Sequence, residues 1–443
     1  MSYACMLVTL GAAFARPMIG LAQQPQATPP PDVHEHVSVT AQLLTPTRET
    51  SGTAWLPQAT PMYGVHRPWH GSDLRLNGVV FLQAIYEPGD RHRTGGASTR
   101  QGSSINWGMA MARRNLGGGR VGVRTMFSAE PWTIPGCGSL NYLATGEVCD
   151  GDTIHDRQQP HDLFMELAVD YDRPLDGAWR WQVYAGLAGE PALGPPGYPH
   201  RVSAMANPIG PMTHHWLDST HVAFGVVTVG VNNQRWKAEL SAFNGRAPDE
   251  GRVALDLGAL DSVAGRISFL ATDRLALQVS TARLRDATTE FPVRSDPATR
   301  VTASAIYHVP LGPRGIWATT VAYGVNHARE VVAGTILNTT TSAALLETSV
   351  TVSDRHTVFS RGEVGAMPAH HLHAHEYSRS VVAIGKLQVG YVRHWGAAKG
   401  LVPGIGGTFS LSLLPPALAP RYAGRVAPGL GVFLTLRPAR HAM

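Results

Sequence analysis

The feature that most constrains this chain is a side-chain alternation of period two, repeated in runs of about ten residues along most of its length. Within 162–171, Leu163, Met165, Leu167, Val169 and Tyr171 point one way, and Glu166, Ala168 and Asp170 the other. Within 179–187, Trp179, Trp181, Val183, Ala185 and Leu187 oppose Arg180, Gln182 and Tyr184. The same reading sets Ile105, Trp107, Met109 and Met111 on the apolar face against Asn106, Gly108, Ala110 and Ala112. Near the end it sets Leu430, Val432, Leu434 and Leu436 against Gly429, Gly431, Phe433 and Thr435. A period of two is a strand period and excludes amphipathic helices over these stretches.

About sixteen such runs are present, each near the ten residues that a tilted strand needs to cross a bilayer. They lie near 73–87, 103–114, 119–130, 162–173, 177–189, 219–231, 234–245 and 261–271. The second half continues near 274–284, 300–309, 315–325, 342–352, 355–366, 379–396, 399–413 and 424–436. Odd-numbered runs are followed by long connections, near 88–102, 131–161, 190–218, 246–260, 285–299, 326–341, 367–378 and 414–423. Even-numbered runs end in short turns such as 115–118, 174–176, 232–233 and 353–354. Long–short alternation in register with strand parity is the pattern of an up-and-down barrel in an outer membrane, and sandwiches or propellers have no reason to show it.

The polarity sense agrees. The uniform face carries Trp, Val, Leu and Tyr, which suits acyl chains, and the varied face carries Gly, Ser, Thr, Gln, Arg and Glu, which suits water. Charged residues make up only 16% of the chain, below the usual quarter of a soluble domain, while Gly at 47 and Pro at 32 argue for many turns. No run of eighteen apolar residues occurs, which excludes spanning helices. Trp132, Trp179, Trp216, Trp236, Trp317 and Trp395 fall near strand ends, as an interfacial girdle requires.

The N-terminus reads as an exported leader. An apolar run over 4–15 precedes Gly20 and Ala22, small residues at the positions a signal peptidase needs, so 1–22 is assigned as a signal peptide. No basic residue precedes that run, and the first is Arg16. Residues 23–72 are Pro-rich without period and are assigned as an extended or disordered segment, leaving 73–438 as the barrel. Export leaves Cys137 and Cys149 as an even pair in one Gly- and Pro-containing loop, a disulfide candidate.

Charges of both signs lie on the inward face. Arg124, Glu166, Asp170, Arg180, Lys237, Glu239, Glu347, Arg361, Glu363 and Lys386 are read as pore lining, either filtering solutes or neutralising one another across the lumen. Histidine numbers 20, and His370, His371, His373 and His375 form a cluster in the seventh outer loop whose spacing suits Cu or Zn at an extended chain. Two further groups are His34 with His36, and the third-loop set His200, Met205, Met212, His214, His215 and His221. The third loop, Pro- and Gly-rich yet apolar, is expected to fold into the lumen and narrow it. No nucleophile elbow, zinc-protease motif or phosphate loop occurs. His308 beside Ser304 on one strand face is the arrangement to examine for hydrolysis. Basic residues lack aromatic interleaving, which excludes nucleic acid as a partner despite a net charge of +5.

The stretches SGTAWLP (51–57), MARRNLGGGRVGVRTMFSAEPWTIPGCG (111–138), TIHDRQQPHDLFMELA (153–168), GEPALGPPGYPHRVSAM (189–205) and HHWLDSTHVAFGVVTVG (214–230) resemble a family of uncharacterised bacterial outer-membrane β-barrel proteins. RWKAELSAFNGRAPDE (235–250) and GVFLTLRP (431–438) extend the resemblance over most of the chain after residue 50. It implies a location and a porin-like fold but no reaction. Relatives often carry Met- and His-rich N-terminal segments associated with copper or other heavy metals. Here only His34, His36, Met62, His66 and His70 match that pattern. The expectation is therefore an all-β protein, a closed up-and-down antiparallel transmembrane β-barrel of about sixteen strands in a bacterial outer membrane. Its expected partners are lipid and small polar solutes or metal ions, with homo-oligomeric assembly left open. Its expected work is porin-like passage without a required cofactor. The alternatives are an outer-membrane hydrolase with a Ser/His pair and a surface metal-binding protein.

Overall fold

The computed structural model describes residues 49–88, 99–150, 152–246, 248, 250–285, 296–332, 335–372, 374, 380–422 and 424–440. The strands, in chain order, are β1 (Val65–Trp69), β2 (Ser72–Tyr86), β3 (Arg100–Leu116), β4 (Gly119–Phe127), β5 (Ser139–Cys149), β6 (Asp152–Gln158), β7 (Phe164–Pro174), β8 (Arg180–Gly189) and β9 (Ala223–Asn232). They continue as β10 (Trp236–Phe243), β11 (Ser262–Thr272), β12 (Leu275–Leu284), β13 (Asp296–Pro310), β14 (Ile316–Val332), β15 (Thr335–Val352), β16 (His356–Pro368), β17 (Val381–His394), β18 (Leu401–Leu413) and β19 (Val426–Pro438).

Leaving aside β1, β5 and β6, sixteen strands form one antiparallel wall in which each pairs with its sequence neighbour. The ring closes where β19 pairs with β2, from Leu430 opposite Tyr86 to Leu436 opposite Val80. Closure leaves no wall strand with an unpaired edge, which is what hydrocarbon demands. All sixteen expected runs are wall strands. The short β1 pairs with the start of β2, and β5 with β6 forms a separate hairpin inside the second outer loop.

The outward face is apolar on successive alternate residues: Leu430, Val432, Leu434 and Leu436 on β19 are exposed while Phe433 and Thr435 between them are buried. Trp179, Trp236, Trp317 and Trp395 are exposed near wall ends, as a girdle requires. A closed wall with this belt is an outer-membrane barrel.

Three local expectations are corrected. Ile105, Trp107, Met109 and Met111 of β3 face inward and are buried, and Gly108, Ala110 and Ala112 face outward. Trp216 is buried in the third loop, not at the interface. The expected long loop 326–341 is the continuation of β14 and β15, which stay paired from Asn326 opposite Thr341 to Val332 opposite Thr335. The reason for the first two is the same: the barrel interior is filled, so large apolar groups find a dry environment there too.

Candidate functional site: the filled lumen

Three segments enter the barrel and meet its inner wall. The first is the N-terminal stretch 49–63. It has almost no regular structure, as a Pro-rich stretch should, yet Ser51, Thr53, Ala54 and Leu56 are buried. The signal peptide assigned to 1–22 and the start of the 23–72 segment lie outside the described residues. Glu49 anchors the stretch: its Oε1 accepts from Lys237 Nζ at 2.6 Å, and its Oε2 accepts from Arg124 at 2.8 Å and Arg113 at 3.1 Å. Gly52 donates its backbone N–H to Glu166 at 3.0 Å, and its carbonyl accepts from Arg124. Gly52 has φ +50°, and a side chain there would meet Glu190 Cβ at 2.6 Å, so only glycine lets the segment lie this close to the third loop. The Thr53 carbonyl accepts from Lys237 at 2.7 Å, and its hydroxyl from Arg266 at 3.0 Å.

The second segment is the third outer loop, 190–222. It enters as expected and is fastened through Arg201, which is fully buried and donates to Glu347 at 2.6 Å, Asp218 at 2.6 Å and the Pro196 carbonyl at 2.9 Å. Glu347 also takes the Ser203 hydroxyl at 2.8 Å and pairs with Arg361 at 3.3 Å. Arg361 in turn donates to the Ile209 carbonyl at 2.7 Å. Glu363 accepts both the backbone N–H and the hydroxyl of Thr213, at 3.0 and 2.8 Å. Further in, Trp216, Leu217 and Met212 pack on Ala322, Ala343, Leu345 and Ile384 of the wall.

The third segment is the second outer loop, 128–163, which carries the β5–β6 hairpin. Cys137 and Cys149 form the expected disulfide across it. Lys386 donates to Asn141 Oδ1 at 2.6 Å and to the Tyr142 carbonyl at 3.2 Å, and Tyr142 donates its N–H to Glu87 at 3.0 Å. The loop ends at His161, whose Nδ1 meets Glu130 at 2.9 Å and whose Nε2 meets His221 Nε2 at 3.1 Å. Burial lowers the pKa of His161, but the Glu130 carboxylate overrides this and raises it, whereas burial beside His214 and His161 keeps His221 well below the ordinary value. His161 is then the proton donor of the pair and His221 the acceptor. His221 Nδ1 donates to the Asp218 carbonyl at 2.9 Å within the third loop, and the His161–His221 contact joins the second loop to the third.

Of the expected lining residues, Arg124, Glu166, Asp170, Lys237, Glu239, Glu347, Arg361, Glu363 and Lys386 all face inward and are buried. Arg180 is half-buried at the turn end of β8, where it donates to Asp172 at 2.6 Å. Their partners include residues the alternation could not point to. These are Glu49 and Arg201, which lie on irregular segments together with Asp218 and Glu190, the groups that meet Arg201 and Ser51; for the third-loop members the only signal was a long loop too apolar to stand in water. Burial raises Asp218, but the Arg201 guanidinium and the His214 ring bring it well below the usual carboxylate range. Burial pushes Glu190 up to about 8, against the pull of Arg266 and of the Ser51 hydroxyl that donates to it at 2.6 Å. Two pockets inside the barrel, one lined by Tyr63, Val202 and Arg437 and one by Trp55, Gly194 and Arg266, each hold space for about one water molecule.

The expected metal cluster is only partly in view. His370 is buried in a short 3-10 turn over Ala369–Leu372 with its ring edge-on to His371 at 4.6 Å, while His373 and His375 lie outside the described residues. Among the described residues, the only set of three metal-type ligand atoms drawn together is Cys137, Cys149 and Asp150, and its two sulfurs are bonded to each other. His308 does not meet Ser304; its Nδ1 is hydrogen-bonded to Thr60 Oγ1 at 2.8 Å.

No family model and no curated protein matches the sequence. Solved structures with similar barrels include OmpF of Salmonella typhi in complex with daunomycin (TM-score 0.49, 10% identity, 84% of this chain and 100% of that one). An anion-selective porin from Comamonas acidovorans aligns with TM-score 0.48 and 13% identity over 83% of this chain and 99% of its own. The outer membrane channel DcaP of Acinetobacter baumannii aligns with TM-score 0.46 and 10% identity over 85% and 100%. The fold assignment itself rests on the closed strand register described above.

Proposed function

We propose that this barrel is an outer-membrane channel for small polar solutes, closed in this state by its own N-terminal stretch and two infolded loops. A single observation carries the reading: buried ionised wall groups, among them Lys237, Arg124, Glu347, Glu363 and Lys386, make many of the contacts that fasten the filling. Desolvating a charge pair costs several kcal/mol that apolar packing would not, so a permanently dry interior is served better by hydrophobic residues. Nine buried inward charges anticipated from the alternation suit a wall that is wetted in another state. Sixteen-stranded walls are wide enough for an aqueous path once such a filling moves. Metal-linked passage is a narrower form of the same reading, in which His370 and His371 would meet the ion at the outer mouth.

Reconstitution of the full chain in planar bilayers tests this. Discrete conductance steps are expected, rare in the native protein and frequent once Arg201 is replaced by Leu. A barrel that stays silent in both forms excludes the channel. Steps that respond to added Zn or Cu would favour the metal-linked form.

A further inference from the structure

We propose that the cationic cage around Glu49 is a carboxylate-binding site on the solute path, filled in this state by the chain's own side chain, so that the solutes admitted are small carboxylates. The second half of this inference rests on the channel reading above; the binding site does not.

The cage is built by the wall alone. Arg113 comes from β3, Arg124 from β4 and Lys237 from β10. Between β4 and β10 the wall contains β7, β8 and β9, so the Glu49 carboxylate bridges two separate parts of the wall. One oxygen takes the ammonium and the other takes two guanidinium groups, at 2.6, 2.8 and 3.1 Å. A planar group with two acceptor oxygens served from opposite sides is what a carboxylate offers.

Charge balance points the same way. The charged wall side chains that meet residues 49–53, together with the wall groups paired with them, are Arg113, Arg124, Lys237 and Arg266 against Glu166, Asp170 and Glu239, four cations and three carboxylates. Glu49 supplies the missing negative charge. Withdrawing the stretch leaves one cation uncompensated in a low-dielectric wall, where an unpaired charge is costly. It also frees donors of Arg124, Lys237 and Arg266 that now serve the Gly52 carbonyl, the Thr53 carbonyl and the Thr53 hydroxyl. A solute carboxylate restores these contacts. Glu49 also belongs to a stretch with almost no ladder pairing to the wall over 49–63, so it can leave without opening the ring.

The test uses the purified full chain and its Glu49→Ala and Glu49→Gln variants. Thermal unfolding is followed in potassium acetate or propionate against potassium chloride at equal ionic strength, with inorganic phosphate as a further arm. Acetate and propionate are expected to raise the midpoint of Glu49→Ala by a few degrees and to leave the native protein, whose cage is occupied, unchanged. Equal effects of chloride, or of phosphate, or no effect of any anion, overturn the carboxylate site; if Glu49→Ala does not fold, the near-isosteric Glu49→Gln carries the same comparison. In bilayers, Glu49→Gln is expected to open at least several-fold more often, with a reversal potential shifted toward anions. Stabilisation by acetate in a protein that never conducts supports the site and overturns the channel reading. Current that ignores both Glu49 and added carboxylate leaves the channel and overturns the solute assignment.

Discussion

The wall and its filling are stabilised by different physics. Each wall strand is held on both sides by a backbone ladder, and the ring closes from Leu430 to Leu436 against Tyr86 to Val80. The filling is irregular and is attached by side chains that converge on a few charged hubs, Glu49, Arg201 and Lys386. A ladder is lost only cooperatively, whereas a hub can be undone by a single substitution. The lumen contents should therefore loosen without the ring opening, and that separation is open to attack.

The largest effect is expected at Arg201. Arg201→Leu leaves Asp218 with His214 and leaves Glu347 with Arg361 and Ser203, and removing one partner of a buried pair costs about 3–5 kcal/mol. Hydrogen exchange should rise across 190–222 while the wall strands stay protected; joint loss of protection in both would break the comparison. On the wall, Ile267→Arg places a charge midway along β11 on the exposed apolar face, at about 2–4 kcal/mol. This should lower whole-barrel stability in denaturant titrations and leave loop exchange rates in proportion.

A smaller effect is expected from Cys137→Ser with Cys149→Ser. A bridge closing a loop of this length contributes up to about 3 kcal/mol. Because it lies within the second outer loop, tying the entry of β5 to its end, protease sensitivity near 139–158 should rise and the barrel midpoint should hold. The gentlest probe is pH. Glu190 is raised to about 8, so its protonated form favours the folded state; that contribution is complete below the ordinary value of 4.5 and is lost as pH rises through about 8. Glu190→Gln should flatten stability across that window. An unchanged pH profile would mean that Glu190 is not buried against the N-terminal stretch in solution.

Much of the wall was legible because lipid imposes one rule on every strand: alternate residues must be apolar, as on β8, β9 and β19. β3 was read with its faces exchanged for a related reason. Trp107, Met109 and Met111 are apolar on the inward side because the filling makes that side dry, with Trp107 against His200 at a ring separation of 4.6 Å. Apolarity reports dryness and does not tell lipid from core. The inward charges were visible, since Glu347, Arg361 and Lys386 stand on the varied face. Their partners were not, because Arg201, Asn141 and Glu49 reach them from 146, 245 and, for Lys237, 188 residues away.

By itself the chain's alternation determined a strand-built wall, its sixteen members, their order and which way the charges of most strands point, because these are set by neighbours two residues apart and by short turns. The third loop was expected inside; that the N-terminal stretch and the β5–β6 loop join it, and which groups fasten them, only the tertiary structure decided. Irregular segments carry no period, and whether Glu49 lies in water or between Arg113, Arg124 and Lys237 depends on cations from distant strands that converge only when the ring has closed.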